Sequence, residues 1–235
     1  MRLPGLQGGA SHLLGGWHED PLWSYVYPWL VEHDRVGGAA WRAGTGSDLA
    51  LLRETADEVG TLPRGARVLD VPTGSGVALR GLRPGQGVDY VAADISPTML
   101  GRARAAAIRL GVADQVTTAL ADVGALPFAD ASFDLVISLT GLHCFPDPRR
   151  AVTEMVRVLA PGAALTGSSL FTDTGPRYEL LRRVGTRARI LGPMCSSAEA
   201  VSWLRESGCR DVDLTLHGGI GYFHATKHST QEDPG

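Results

Sequence analysis

LDVPTGSG, Leu69 to Gly76, decides how the rest of the chain is read. It closes the apolar, β-rich run ARVLDV (Ala66 to Val71) and turns into a loop with glycines at 74 and 76. Such a turn exposes backbone N–H groups and leaves room for a ligand at the end of a strand. A dinucleotide loop would read G-x-G-x-x-G, but here the spacing differs and an acid, Asp70, leads the glycines. A carboxylate repels a phosphate and attracts an ammonium or sulfonium, so the loop suits a cationic ligand. Pro72 fixes its own φ near about -65° and pushes its predecessor toward extended geometry. Val71 ends a strand and already meets that demand. Pro72 donates no N–H, so a ligand contact there would use its carbonyl; the conformational freedom stays at Gly74 and Gly76.

Outward from the loop, short β-rich runs alternate with helical ones, the pattern of an α/β fold. Strand candidates are Ala66 to Val71, Asp89 to Asp94, Gln115 to Ala121, Phe133 to Leu139 and Ala163 to Phe171. Several lack a polar face, as strands covered on both sides do. Helix candidates are Gly76 to Leu82, Pro97 to Leu110 and Pro148 to Leu159. Ser96 and Pro97 provide an N-cap and first turn, and Gly111 a stop. In the third, Ala151, Val152, Met155, Val156 and Leu159 make one apolar stripe, with Arg149, Arg150, Glu154 and Arg157 mostly opposite. LAPG then reads as a stop.

Asp173 to Pro193 holds a helical stretch placed over the site, and Ser197 to Ser207 a helix capped by Ser196 or Ser197. Val212 to Leu216 and Gly221 to Thr226, joined by HGGIG, read as a β-hairpin. Upstream, Asp20 to Ala43 carries Trp23, Tyr25, Tyr27, Trp29 and Trp41, and Ser47 to Val59 is helix-like. These read as helices folding across the ligand edge of the sheet, or as aromatics used only for packing. The division expected is a flexible start (1–19), a helical cap (20–62), a main domain (63–227) and a flexible tail (228–235).

With 235 residues, 44% apolar, the chain is long enough for one sizeable core. A net charge of -3 gives no general pull toward nucleic acid. Cys144, Cys195 and Cys209 are too few and too scattered for a disulfide framework or zinc site, which fits a reducing cytoplasm. No segment approaches membrane-spanning length, so no integral membrane association is expected.

Further acids continue the series begun at Asp70. Asp94 follows Gly76 by 18 residues at the end of the second strand run, where an acid can take both ribose hydroxyls. Asp122 follows the third run, placed to accept an adenine amine while Val123 offers its N–H. Each acid alone could instead cap a turn or helix. Together, VLDVPTGSG (68–76), AADIS (92–96), ADVGALPF (121–128), FDLVISLTGLHCFPDP (133–148), EMVRVLAPGA (154–163) and the closing hairpin resemble the class I S-adenosylmethionine-dependent methyltransferases. The likeness runs from about Arg64 to Ala225 and is strongest toward quinone-biosynthesis and other small-molecule members.

That resemblance implies a doubly wound, Rossmann-like seven-strand sheet with its last strand antiparallel, and S-adenosyl-L-methionine as cofactor. It implies that Asp70 and the backbone of Pro72, Gly74 and Gly76 hold the methionine moiety, with Leu139 beside it. Asp94 would bind the ribose, Ile95 and Met99 would pack on adenine, and Asp122 with Val123 would meet its edge. Pro72 departs from the family's usual glycine.

Methyl transfer from a sulfonium has a good leaving group, so positioning supplies much of the acceleration. A base matters when the acceptor is a hydroxyl. His143, just beyond the fourth strand run, is the candidate catalytic base, or else a hydrogen-bonded pocket wall. His18, Tyr25, His33, His217 and Tyr222 are unranked candidates for the acceptor side. No His, Cys or acid spacing forms a metal set. The acceptor expected is small and partly apolar: a quinone, polyketide-like metabolite, lipid or sugar derivative. Arg177, Arg182, Arg183, Arg187 and Arg189 form a solvated face or recognise an acceptor anion. A homodimer is an open alternative to a monomer, and non-methylating use of the same fold, or a non-catalytic partner role, are the rival readings.

Overall fold

The computed structural model describes residues 34–187 and 191–229. Trp23, Tyr25, Tyr27, Trp29, His18, His33 and Arg189, with the expected start 1–19 and the tail from 230, lie outside the described residues.

Seven strands form one sheet in the order β3-β2-β1-β4-β5-β7-β6. They are β1 (Arg67–Asp70), β2 (Asp89–Asp94), β3 (Val116–Leu120), β4 (Phe133–Ser138), β5 (Leu159–Leu170), β6 (Cys209–His217) and β7 (Ile220–Lys227). The first five run parallel, and β7 is antiparallel to both β5 and β6. Chain order reverses beside β1, where β2 lies on one side and β4 on the other. That switch point opens a crevice at the strands' carboxyl ends.

Two apolar layers cover the faces. One packs α1 (Asp34–Thr45), α2 (Leu49–Asp57) and α3 (Pro97–Leu110) on the sheet through Trp41, Leu52, Leu79, Ala103, Leu135 and Ile137. The other holds α4 (Pro148–Val158) and α6 (Ser197–Glu206) through Met155, Val156, Leu159, Leu204 and Phe223. Burying a leucine such as Leu52 is worth about 1.5–3 kcal/mol. Leu49, Leu52 and Ala56 share a layer with Val68 of β1, so α2 is part of the main core.

Local signals set the helix ends. Ser96 accepts from the Met99 N–H, Pro97 opens α3, and Gly111 closes it at φ 71°. Asp147 caps α4, and Ser196 with Glu199 makes a full capping box at α6.

Two expectations are corrected. Gly76 to Leu82 holds only a short 3-10 turn, Ala78–Gly81. Gly81 there packs directly on the backbone of Ala56, and Gly76 sits at φ +86°, outside helical space. The strand expected from Ala163 starts earlier: α4 stops at Val158, where LAPG signals a stop, and the chain passes straight into β5 at Leu159, whose early part continues the sheet beside Phe133 with a register shift. Within 173–193 the described residues hold the expected helix as α5 (Glu179–Arg187), after a 3-10 turn at Pro176–Tyr178. At the far end, the His228 N–H donates to the Gly208 carbonyl (2.9 Å), tying the first residue of the expected tail to the sheet.

Candidate cofactor site

The site starts where β1 stops. Asp70 is the last residue of β1 and buried; its Oδ2 accepts from the Thr73 hydroxyl (2.6 Å) and the Tyr90 hydroxyl (2.8 Å). Burial pushes the Asp70 carboxyl up to about 7, against the pull of those two donors, and the nearby Asp94 charge adds to the rise. A buried acid near neutrality has a strong electrostatic demand for a cation.

The loop is anchored on both sides. The Thr73 N–H donates to the Ala93 carbonyl (2.8 Å), and the Val71 N–H to the Ile137 carbonyl (3.0 Å). Gly74 stands at φ +53° with nothing within 4 Å of where a Cβ would lie. At Gly76 a Cβ would meet Leu79 at 2.7 Å and the backbone of Ala103 at 3.3 Å. Gly74 therefore leaves the loop open on its outer side, while Gly76 lets it lie close on α3. The Val71–Pro72 peptide is cis, and a Cβ on Gly141 would meet Pro72 at 2.8 Å, so the loop after β4 rests on the glycine loop.

Asp94 ends β2 and is buried, with Oδ2 accepting from the Gly74 N–H and Oδ1 from the Ser96 N–H, each at 2.9 Å. Beside it Ile95 is 40% exposed, an apolar surface of the kind a ring can cover, whereas Met99 is buried in the first turn of α3. The Ala121 N–H donates to the Asp94 carbonyl (3.0 Å), which brings Asp122 to the next strand end. Asp122 caps a short turn through the Gly124 N–H (2.8 Å), and Val123 is buried. That segment is held from α4: Arg150 donates to the Gly124 carbonyl, Glu154 accepts from the Leu126 N–H, and Arg157 donates to the Leu126 and Phe128 carbonyls.

Leu139 follows β4 and is buried in the α2 layer. His143 is buried on the same loop, where its Nδ1 accepts from the Leu170 N–H (3.0 Å) and lies 3.1 Å from the Ser169 hydroxyl. Burial lowers its pKa to about 4. In the neutral ring the proton is then carried by Nε2. This geometry favours the wall role over the base.

Of the acceptor-side candidates, His217 and Tyr222 meet edge to face (6.1 Å between ring centres), and the Tyr222 hydroxyl is 3.0 Å from that of Ser47. Arg182 is buried and turns inward to Glu179, Thr174 and the Phe171 and Gly175 carbonyls. Arg183 pairs with Glu179, and Arg177 lies over the Tyr178 ring. These three arginines have structural partners.

Gly74 and Asp94 are thus hydrogen-bonded to each other beside Asp70, which is held by Thr73 and Tyr90, with Asp122 at the adjoining strand end and Leu139 and His143 across the switch point. Sequence reasoning missed Tyr90 and Thr73. The signal for Tyr90 was a phenol in the otherwise apolar DYVAAD, whose hydroxyl needed a buried partner.

The sheet order and its edge of acids define a Rossmann-like protein built to take a cationic nucleoside. A family model described as a methyltransferase domain matches residues 69–166. The O-methyltransferase rstn1 of Aspergillus nomiae is 31% identical over 166 residues, covering 70% of this chain and 73% of that protein. The 27-O-demethylrifamycin SV methyltransferase of Amycolatopsis mediterranei is 36% identical over 166 residues, covering 68% of this chain and 60% of its own length. Among solved structures, a phosphoethanolamine N-methyltransferase 2 of Haemonchus contortus in complex with S-adenosyl-L-methionine has a TM-score of 0.70 at 16% identity. It covers 88% of this chain and is itself covered over 57%. The chain belongs to the class I S-adenosylmethionine-dependent methyltransferases.

The donor set fits that cofactor: carboxylates rather than phosphate-binding cations, a loop left open at Gly74, and an exposed apolar side chain at Ile95. No described helix is long and apolar enough to cross a membrane.

Proposed function

We propose that this chain transfers the methyl group of S-adenosylmethionine to an oxygen of a small, partly apolar acceptor. The observation that carries the cofactor half is the placing of Asp70, Asp94 and Asp122 at the carboxyl ends of three neighbouring strands. When bound, the cofactor supplies an electrophilic methyl on a sulfonium and leaves as a neutral thioether.

In this reading Asp70 and the backbone of Pro72, Gly74 and Gly76 hold the methionine end, with Leu139 as an apolar neighbour. Asp94 accepts from the ribose hydroxyls with lone pairs beyond those used by Gly74 and Ser96. Ile95 covers the adenine from the exposed side and Met99 packs beneath it. Asp122 and Val123 meet the adenine edge, held in place by α4.

Oxygen as the accepting atom is supported by two relatives described as O-methylating or O-demethyl-substrate enzymes. A partly apolar acceptor is supported by α5, which follows the carboxyl end of β5 and leaves Leu180 and Val184 exposed. We assign His143 to the pocket wall. Its Nδ1 bond to Leu170 fixes the ring, so a hydroxyl acceptor would lose its proton to solvent or another group. The free, buried thiols of Cys195 and Cys209 accord with a cytoplasmic setting.

The test is to incubate the protein with methyl-labelled cofactor and a metabolite extract and identify the labelled product by mass. A labelled methyl ether is expected. Cofactor binding without transfer to any acceptor would sink the methyltransferase reading, and a labelled amine, thioether or carbon would sink the oxygen assignment.

A further inference from the structure

Tyr90 is the fully buried phenol of β2, opposite Val68 in the β1 register. Packing alone would be met by phenylalanine. Its hydroxyl instead reaches diagonally to Asp70 Oδ2 (2.8 Å), the oxygen that also accepts from Thr73 (2.6 Å). No other described residue donates to the Asp70 carboxylate. Both donors therefore fall on one oxygen, and Oδ1 is left to whatever the site binds. We propose that Tyr90 is a positioning residue for the cofactor: with Thr73 it clamps Asp70 by Oδ2 and keeps the carboxylate ionised, with Oδ1 presented to a cationic group of the methionine moiety. This rests on the cofactor reading of Asp70 given above.

The physical case is a balance at one buried acid. Desolvation favours the neutral acid, whereas each hydrogen bond to the ionised form favours the anion. The charged and titratable groups acting on Asp70 are both on β2: Asp94, which opposes its ionisation, and Tyr90. Tyr90 stays protonated, because burial and the neighbouring Asp70 push its own ionisation well up. From the loop after β4, His143 stays neutral above about 4. Burial raises Asp70 to about 7, and the two hydroxyls pull it back toward the ionised form.

The test measures the dissociation constant of S-adenosylhomocysteine by calorimetry from pH 6 to 8.5 in wild type, Tyr90→Phe, Thr73→Ser, Thr73→Val and Asp70→Asn. Wild-type affinity is expected to rise with pH through about 7 and then level. Tyr90→Phe and Thr73→Val are expected to move that rise upward, weakening binding roughly tenfold at pH 6.5 and less than about twofold at pH 8.5. Thr73→Ser, which keeps the hydroxyl, is expected to restore the wild-type profile. A loss in Tyr90→Phe that is the same at every pH would make the residue merely structural and overturn the inference, as would an unchanged profile. Asp70→Asn is expected to bind weakly and without pH dependence. If it binds like wild type, the cofactor reading of Asp70 falls; if it does not and Tyr90→Phe is unaltered, only the clamp falls.

Discussion

The backbone N–H of Gly74 donates to Asp94 Oδ2 at 2.9 Å, so the glycine loop and the acid of the next strand are one bonded unit. Removing Asp94 therefore takes away the proposed ribose acceptor and the anchor of the loop together. Asp94→Ala is expected to weaken cofactor binding at least about tenfold, or about 1.4 kcal/mol. Calorimetry checks the affinity, and faster amide exchange at Gly74 checks the loosening. Unchanged affinity would remove Asp94 from the site.

Gly76 combines φ +86° with a Cβ position 2.7 Å from Leu79. A side chain there must bear left-handed strain and displace a buried leucine. Gly76→Ala is expected to cost about 1–3 kcal/mol, read as a lower denaturant midpoint with an unchanged slope. Gly74→Ala, with open space around it, is expected to show only the backbone part of that cost.

Asp70 should show a stability cost where its charge is uncompensated. Its folded value, about 7, lies above the ordinary 3.8, so the folded state binds more protons between them. Cofactor-free stability must then fall as pH rises through that window. Asp70→Asn, which can still accept from Thr73 and Tyr90, is expected to be more stable than wild type at pH 8 by on the order of 2 kcal/mol, with the gain shrinking toward pH 4. Urea melts at the two pH values decide it.

For His143 the sign is opposite. Burial holds it neutral down to about 4 against an ordinary 6.5, so the unfolded state binds the extra proton between those values. Stability is expected to fall by on the order of 2 kcal/mol as pH drops across that window, and His143→Asn should lose this dependence. Turnover of the variant at neutral pH should stay within about tenfold of wild type. A loss of a hundredfold or more with cofactor affinity intact would restore the base.

His224 on β7 lies 3.4 Å from Glu58, and that hydrogen bond raises its pKa. A raised histidine contributes stability fully below its ordinary 6.5 and loses it as pH climbs through the raised value. His224→Ala should thus destabilise the protein more at pH 6 than at pH 8.5, which paired thermal melts would show. An equal loss at both would mean the pair adds only packing.

The local signals were legible because they act over a few residues. Ser96, Pro97 and Gly111 bound α3 by the capping rules, and the β-rich, mostly apolar runs of β2 and β4 lack the polar face of a half-exposed strand, as strands covered on both sides do. The order of acids after successive strands was legible for the same reason, since a strand's end and the residue beyond it are fixed by local pattern. The Gly76 to Leu82 helix failed because a left-handed glycine and a backbone contact from Gly81 to Ala56 overrode the local preference. Glu154 and Arg157 read only as the face opposite the apolar stripe, yet they hold the segment after Asp122, a role that depends on a loop some 30 residues away in sequence.

By itself, then, the sequence determined an α/β sheet, a glycine turn led by Asp70, and a family whose cofactor is a sulfonium. Only the tertiary structure decided that Tyr90 and Thr73 share one oxygen of Asp70, that Gly74 is tied to Asp94, and that the His143 ring accepts from Leu170. The division has a physical cause. Backbone preference and apolar period act between neighbours in the chain, whereas the state of a buried carboxylate or imidazole is set by desolvation and by donors that only strand pairing brings within 3 Å.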